Sequence, residues 1–443
     1  MTVKTLLLAG GTLLVSASAA SASGFQVNLG GQKNIGMGGV GVGLSLDQAA
    51  MFYNPGALAM VRENGVQFGV NAALARISFR GDNGDPQRSL QNGIVTPFNF
   101  YAGFGPKDAK YKFGVAVYTP YGNKVKYADG WEGRYALTEI NLESVYVQPT
   151  FSYAITPQLS VGAGLTILAY GSVNLQKDLP LPTGPGHIEL DGKTKTQFGF
   201  NAGVFFKPSE KMSVGISYRS QIDAKVESGK ITYTGLPTGA SANIINRSFT
   251  ATNFAATLPL PAVASIGVGI MPTDKLTIGL DASLTFWSQY RTLDFNFSGN
   301  NGNATATALP GENTDGRVGG TSATSNFSTS KRYYQDAVAF RLGGQYKVSD
   351  KLTVRAGAAY DLTAVRDGYI TPETPDANRL GLSTGLSYQI TDHLGVDGSF
   401  LFEALLKRTQ TQQDLLNVGT TDRVAGTYRT NAYVPGIGLH YKF

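Results

Sequence analysis

Six short turns, each joining two long segments of alternating apolar and polar residues, decide what this chain can become. They fall at Gly105-Pro106-Lys107-Asp108, Thr156-Pro157-Gln158, Pro208-Ser209-Glu210, Pro272-Thr273-Asp274, Val348-Ser349-Asp350 and Ile390-Thr391-Asp392. Seven longer, more polar connections lie between them, at about 81–93, 120–140, 174–193, 227–257, 298–330, 367–377 and 410–427. Thirteen connections imply about fourteen antiparallel strands, and tight turns on one side with long loops on the other are the mark of a barrel crossing a membrane with two unlike faces. An even strand number puts both barrel ends on the short-turn side, which in such barrels faces the periplasm. The expected fold is therefore all-β, a transmembrane antiparallel barrel of about fourteen strands.

The period of two assigns faces. After Pro157, Leu159, Val161, Ala163, Leu165, Ile167 and Ala169 share one face, opposed by Ser160, Gly162, Gly164, Thr166 and Tyr170. After Asp274 the apolar set runs Leu276, Ile278, Leu280, Ala282, Leu284 and Phe286. The segments run to about 12–18 residues, against about 5–6 in soluble sheets, and are long enough to cross the hydrocarbon at a tilt. By the same parity Arg219, Arg341 and Arg355 point inward, as do Asp281, Asp361, Asp397 and Glu403. Most of these charges are expected to pair across the interior, and the three arginines are the candidate cations for an anionic ligand.

Composition narrows the class. Only 15% of the 443 residues are charged, below the ~25% of soluble domains, and no apolar run beyond the first twenty residues reaches the length of a spanning helix. Cysteine is absent, so disulfides, thiolate metal sites and thiol nucleophiles are excluded. The net charge of +6 is dispersed without a basic cluster, which argues against nucleic acid as a partner. His187 lies in a long connection, His393 in a short turn and His440 near the end, none beside a serine and an aspartate suited to hydrolysis. No catalytic, metal or cofactor site is expected.

Residues 1–22 read as an export signal: Lys4 supplies the positive end, Leu6 to Val15 the apolar stretch and Ala20-Ser21-Ala22 the cleavage site. Export with a barrel implies the outer membrane of a Gram-negative cell. Residues 23–64 do not alternate. Glycines at 30, 31, 36, 38, 39, 41 and 43 demand tight, irregular backbone. Ser45-Leu46-Asp47-Gln48 predicts a capping box opening a short helix through Tyr53, which Asn54-Pro55 ends. A further turn over 56–60 leads to a first strand near Gly65. Forty compact residues at the periplasmic mouth are expected inside the barrel as a plug, with 65–443 forming the wall. Gly36-x-Gly38-x-x-Gly41 matches the dinucleotide fingerprint as a string only, because no βαβ unit surrounds it.

Gly24-Phe25-Gln26, the glycine turns and Asn54-Pro55-x-x-Leu58 resemble the plug of FadL-type long-chain fatty-acid transporters. Pro120-Tyr121-Gly122, Trp131-x-Gly133-Arg134, Leu258-Pro259-x-Pro261, Phe286-Trp287-Ser288, Arg355-Ala356-Gly357-x-x-Tyr360-Asp361 and Pro375-Asp376-x-x-Arg379 extend the resemblance along nearly the whole mature chain. One residue departs from the pattern: Gly56 stands where the family often has alanine. The resemblance implies passive uptake of hydrophobic molecules, with long-chain fatty acids as the first expectation and aromatic hydrocarbons as the alternative. A structural or adhesive barrel is the rival of a different class; a plug disfavours a diffusion pore for polar solutes. It further implies sideways exit where the third strand, about 110–119, kinks beside the plug, and Gly114 is the expected kink. Gly24, Phe25, Asn54, Pro55 and Gly56 are the expected gating residues. Leu179, Leu181, Ile188, Ile244, Ile245, Phe249 and Phe254 form an expected exposed apolar patch on two long loops, suited to capturing cargo. The chain is expected as a monomer among outer-membrane lipid and lipopolysaccharide, with its terminal Phe443 resembling the signal read by the barrel-assembly machinery.

Overall fold

Alternation turns into a closed ladder in the computed structural model, which describes residues 24–82, 87–106, 108–181, 184–237, 249, 251–299, 327–419 and 422–443. Among the described residues fourteen antiparallel strands close into a barrel. We number them β1 (65–81), β2 (88–104), β3 (111–126), β4 (139–154), β5 (159–181), β6 (184–209), β7 (212–234), β8 (253–273), β9 (276–298), β10 (327–347), β11 (352–361), β12 (379–389), β13 (394–410) and β14 (426–442). Closure is made by β14, which pairs with β1 from Gly65 opposite Lys442 to Asn71 opposite Gly436, and with β13 from Leu394 opposite Tyr441. The backbone amide of Phe443 then bonds the carbonyl of Asn64, bringing the chain end to the start of the wall. The signal sequence lies outside the described residues.

Faces follow parity. Leu165, Ile216, Ile266, Leu280, Leu342 and Leu382 point outward and are exposed, whereas Ser160, Thr166, Asp281, Arg355 and Asp397 are buried on the inside. Tyr170 departs from its expected inward position. The pairing of β4 with β5 passes from Tyr146 opposite Leu168 to Val145 opposite Tyr170, so Ala169 is an extra residue. A bulge of this kind exchanges the faces beyond it, leaving Leu168 buried inside and Tyr170 exposed.

Of two connections expected as loops, 174–193 is largely strand and 227–257 begins and ends in strand, at 227–234 and 253–257. β5 runs on through Leu181 and pairs with 184–193, which pairs in turn with 230–234. These neighbours extend side by side, so their peptide groups satisfy one another instead of relying on water. His187 is thereby held in a strand beside Asp178, at 3.1 Å.

Residues 24–64 carry no strand beyond a single bridge, Gln26 with Tyr121. Short helices form at Gln32–Ile35 and Ala50–Tyr53, and a 3₁₀ turn at Pro55–Met60. The second helix begins later than Ser45 suggested. Its turn is organised by Asp47, whose carboxylate accepts from the Ala49 amide at 2.9 Å and pairs with Lys33 at 3.1 Å. It ends at Tyr53 as expected, with Asn54 extended at φ −155° ahead of the proline.

The outward face makes a stability prediction. Leu165→Arg places a cation in lipid on a residue 46% exposed, and should cost about 2–4 kcal/mol if it lies near the midplane. Equilibrium folding into bilayers measures the loss; Thr166→Ala on the inner face should leave lipid insertion unaffected.

Candidate functional site

Segment 24–64 packs against the inner faces of strands all round the barrel. Gly36 meets Gly385 of β12, Gly43 meets Gly267 of β8, Pro55 meets Gly162 of β5 and Met51 meets Gly114 of β3. Only the lumen touches so many strands at once. Two wall glycines exist for that approach: a Cβ at Gly215 would collide with the Val42 carbonyl, and one at Gly343 with the Met37 carbonyl.

An irregular, glycine-rich backbone leaves many peptide groups without regular partners. Inward polar side chains of the wall supply them. Asp281 accepts from the amides of Gly41 and Val42 at 2.6 and 3.0 Å. Ser383 accepts from the Gly38 amide, Ser213 donates to the Gly43 carbonyl, and Arg219 donates to the Phe52 carbonyl at 2.7 Å. The Arg219 guanidinium also lies 4.5 Å from the Phe52 ring centre, a cation–π contact. Arg355 is spent on Gln345 and Ser387. Arg219 thus ties the wall to the segment, and Arg355 ties wall strands to one another.

Asn54 is fully buried. Its side-chain oxygen accepts from the Gly56 amide at 3.0 Å, while its side-chain amide donates to the carbonyls of Val42 and Val204, both at 3.0 Å. Pro55 begins the 3₁₀ turn, and the Gly56 carbonyl accepts from Ser160 and Ser152. Glycine at 56 has a local cause: a Cβ there would stand 2.6 Å from the Gly203 carbonyl oxygen.

The kink expected at Gly114 lies elsewhere. Gly114 pairs in unbroken register with Gly103 and Thr150, and its bare Cα makes room for the sulfur of Met51. β3 breaks instead at 119–121. Tyr118 opposes Tyr146, but the next pair is Gly122 with Glu143, so three residues of β3 face two of β4. On the other side, pairing with β2 stops at Asn99 opposite Tyr118. Backbone contact returns only where the Gln91 amide donates to the Lys126 carbonyl at 2.8 Å. Between 92–98 and 119–125 the wall lacks a ladder.

The edge left open there is taken up by the amino-terminal end of segment 24–64. The Val27 amide donates to the Pro120 carbonyl at 2.8 Å and the Gly122 amide to the Phe25 carbonyl at 3.1 Å. The Phe25 ring sits among aromatics, with centroids 4.8 Å from Trp287, 6.0 Å from Tyr290 and 6.1 Å from Tyr121. The Gly24 amide donates to Asp376 at 3.1 Å, and a side chain at 24 would strike Trp287.

Behind this gap lies a cavity of about 580 Å³, bordered by 24–29, 92–98, 119–125 and the inner faces of β11 to β14. Ala73, Ile77, Val95, Phe98, Leu142, Leu401 and Val434 give it a mainly apolar surface. Arg341 reaches it, held by Asp361 at 3.2 Å. Beneath is a void of only about 60 Å³ among Asn28, Arg219, Asp281 and Arg341. Above, the outer loops close over the barrel: Trp131 stacks on Tyr127 at 3.7 Å, and Arg332 pairs with Glu373 at 2.5 Å. Burial works against charge on Asp422 in this roof, but Arg423, Arg332 and a hydrogen bond from Ser330 hold its carboxyl below the usual range.

The apolar residues expected as an exposed patch turn inward on one another. Leu179, Ile188 and Phe254 are buried with Leu190, Val226 and Phe297, while Leu181 and Phe249 are partly open at the margin. Ile244 and Ile245 lie outside the described residues. Sequence reading passed over Asp376, Arg379 and the aromatic seat of Phe25 as site residues. The Pro375-Asp376-x-x-Arg379 string was a signal for the first two; the seat joins two distant segments, around Tyr121 and 287–290, whose meeting no local pattern announces.

A family model described as outer membrane protein transport protein (OMPP1/FadL/TodX) matches residues 13–443. The 47 kDa outer membrane protein of Pasteurella multocida is 25% identical, over 98% of each chain. The long-chain fatty acid transport protein of Escherichia coli K12 is 23% identical, over 88% of this chain and 89% of that one. Among solved structures, a Pseudomonas aeruginosa FadL homologue superposes with a TM-score of 0.78 at 22% identity, covering 95% of this chain and all of that one. The P. putida toluene transporter TodX gives 0.68 at 14% identity, covering 93% and 98%.

Asn54→Ala removes three hydrogen bonds from a buried group and should weaken docking of the lumenal segment by about 1–3 kcal/mol. Hydrogen exchange over residues 36–58 should quicken while the wall strands keep their protection.

Proposed function

Because the chain belongs to the outer-membrane transport protein family OMPP1/FadL/TodX, a family of hydrophobic-compound transporters and not of enzymes, we propose that it passes such compounds from an outer capture surface into the lumenal cavity and then sideways into the membrane. One observation carries the route: an apolar cavity stands directly behind the only stretch of described wall where β2 and β3 lack a ladder. Relatives bearing the names long-chain fatty acid transport protein and toluene transporter bracket the cargo between acyl chains and aromatic hydrocarbons.

The energetics favour this path. Each CH₂ moved from water to an apolar site gains about 0.8 kcal/mol, so the cargo is passed between apolar surfaces and never released into water. The way down to the periplasm runs through the void among Asn28, Arg219, Asp281 and Arg341, whose volume of about 60 Å³ is too small for a long hydrocarbon chain. The way out through 92–98 and 119–125 leads to lipid. The partly open margin formed by Leu181 and Phe249 serves as the first contact.

Gating falls to the amino-terminal end of the plug. Gly24 to Val27 border the cavity and hold the free edge of β3 by two backbone hydrogen bonds. Cargo that displaces the Phe25 ring from its aromatic seat loosens both bonds and widens the gap. Asn54, Pro55 and Gly56 anchor the remainder of the plug while that end moves, in keeping with their three-way bonding to β4, β5 and β6.

Gly122 lines the cavity at the gap, and the nearest atoms to a Cβ there lie 3.4 and 4.0 Å away. Gly122→Trp should therefore fold normally and obstruct the exit. Uptake of radiolabelled hydrophobic cargo by cells should fall about tenfold with surface levels unchanged, a 1.4 kcal/mol obstruction; unaltered uptake would place the exit elsewhere. Deleting residues 25–60 should turn the barrel into an ion-conducting channel in planar bilayers, and an unchanged low conductance would show that this segment does not block the bore.

A further inference from the structure

The charged groups around the cavity decide what kind of hydrophobic molecule it accepts. Among its lining residues the cations are Lys124, Arg341 and Arg379; the carboxylates are Glu143, Asp361, Glu373, Asp376 and Glu403. Both arginines are already engaged by acids. Arg341 is bonded by both oxygens of Asp361, at 3.2 and 3.4 Å. Arg379 is shared between Asp376 and Glu403, each at 3.5 Å. Glu373 takes Arg332 from behind the lining.

Lys124 has no carboxylate partner among the described residues, and it stands at the mouth, next to Gly93 in the gap. Its ladder partner is Asn141, flanked along that strand by Glu139, which pairs with Lys126, and by Glu143, which accepts from Asn141 at 3.0 Å. Adding Arg332, and the ammonium that signal removal would leave near Gly24, brings the cations only to parity with the acids. Lys124 at the mouth is the lining cation without an acid among the described residues, whereas both lining arginines are held by acids.

A fatty-acid carboxylate carried past Lys124 into the cavity would have to break an arginine from its acid, or lie unpaired beside acids. Either cost is large, because burying an unpaired charge is among the most unfavourable events in a protein interior. Resting on the transport function proposed above, we infer that the cavity selects uncharged cargo, hydrocarbons or long-chain alcohols and esters, and that its surrounding carboxylates disfavour fatty-acid anions. Glu403 and Glu143 act as the specificity-determining residues, since one faces a shared arginine and the other has no cation partner among the described residues.

Oleyl alcohol and oleate, equal in chain length and differing in charge, test this on the full-length protein in detergent at pH 8, with binding read by native mass spectrometry. The alcohol should bind at least about tenfold more tightly than the anion. Greater lipophilicity of the alcohol alone would also produce that order, so the deciding measurement is the ratio in Glu403→Gln, with Glu143→Gln as a second variant should the first fold poorly. Removing a carboxylate should raise oleate binding several-fold and leave oleyl alcohol unchanged. Oleate binding as tight as the alcohol, an oleate affinity that Lys124→Gln abolishes, or a ratio that neither glutamate variant moves would each overturn the inference while leaving hydrophobic transport intact. Failure of both ligands to bind would overturn the transport function, and the charge selection with it.

Discussion

A peptide group in the hydrocarbon layer finds no water, so every strand that crosses it must be hydrogen-bonded on both edges by protein. Closure of β14 onto β1 answers that demand for the barrel as a whole. The same demand makes the interruption between β2 and β3 informative. Where β3 loses β2 at 119–125, its peptide groups at Pro120 and Gly122 bond the backbone of Phe25 and Val27. The plug is thus a replacement edge strand for the wall at this point, as well as a filling for the bore.

The rest of the plug is held on different terms. Its glycines bring its backbone against the wall, and the wall answers with serine, asparagine, glutamine, aspartate and arginine side chains aimed at peptide groups. A segment bound by many modest hydrogen bonds is specified in position without being welded to an apolar core. The amino-terminal end differs, since it depends on one phenylalanine in an aromatic seat and two backbone bonds.

Electrostatics divides the lumen into levels. Near the short turns, Asp397 meets His440 at 2.7 Å and Ser387, and Arg355 serves the wall. At cavity height the arginines are chelated by acids, so the surface offered to cargo is apolar carbon bordered by neutralised pairs.

Much of this was legible in the chain itself. Strand number, face parity, the non-alternating segment before Gly65 and the helix stop at Asn54-Pro55 all follow from local rules: the pleat has a period of two, proline restricts its predecessor, and turns need particular residues. What escaped depends on neighbours distant in sequence. Ala169 becomes a bulge only through its register with β4, and β5 to β8 extend as strands because each finds a partner at the same height. Leu179, Ile188 and Phe254 look like an open greasy surface until three strands fold them together. The break in β3 went to Gly114 on residue type, whereas the ladder placed it at 119–121, where the partner on β2 is lost and the plug supplies another. Periodicity along the chain determined that this protein is a barrel with a wet inside and a greasy outside; which cations are free, where the wall opens and what closes it were decided by pairings between strands far apart in sequence, because hydrogen bonds and ion pairs depend on distance in space.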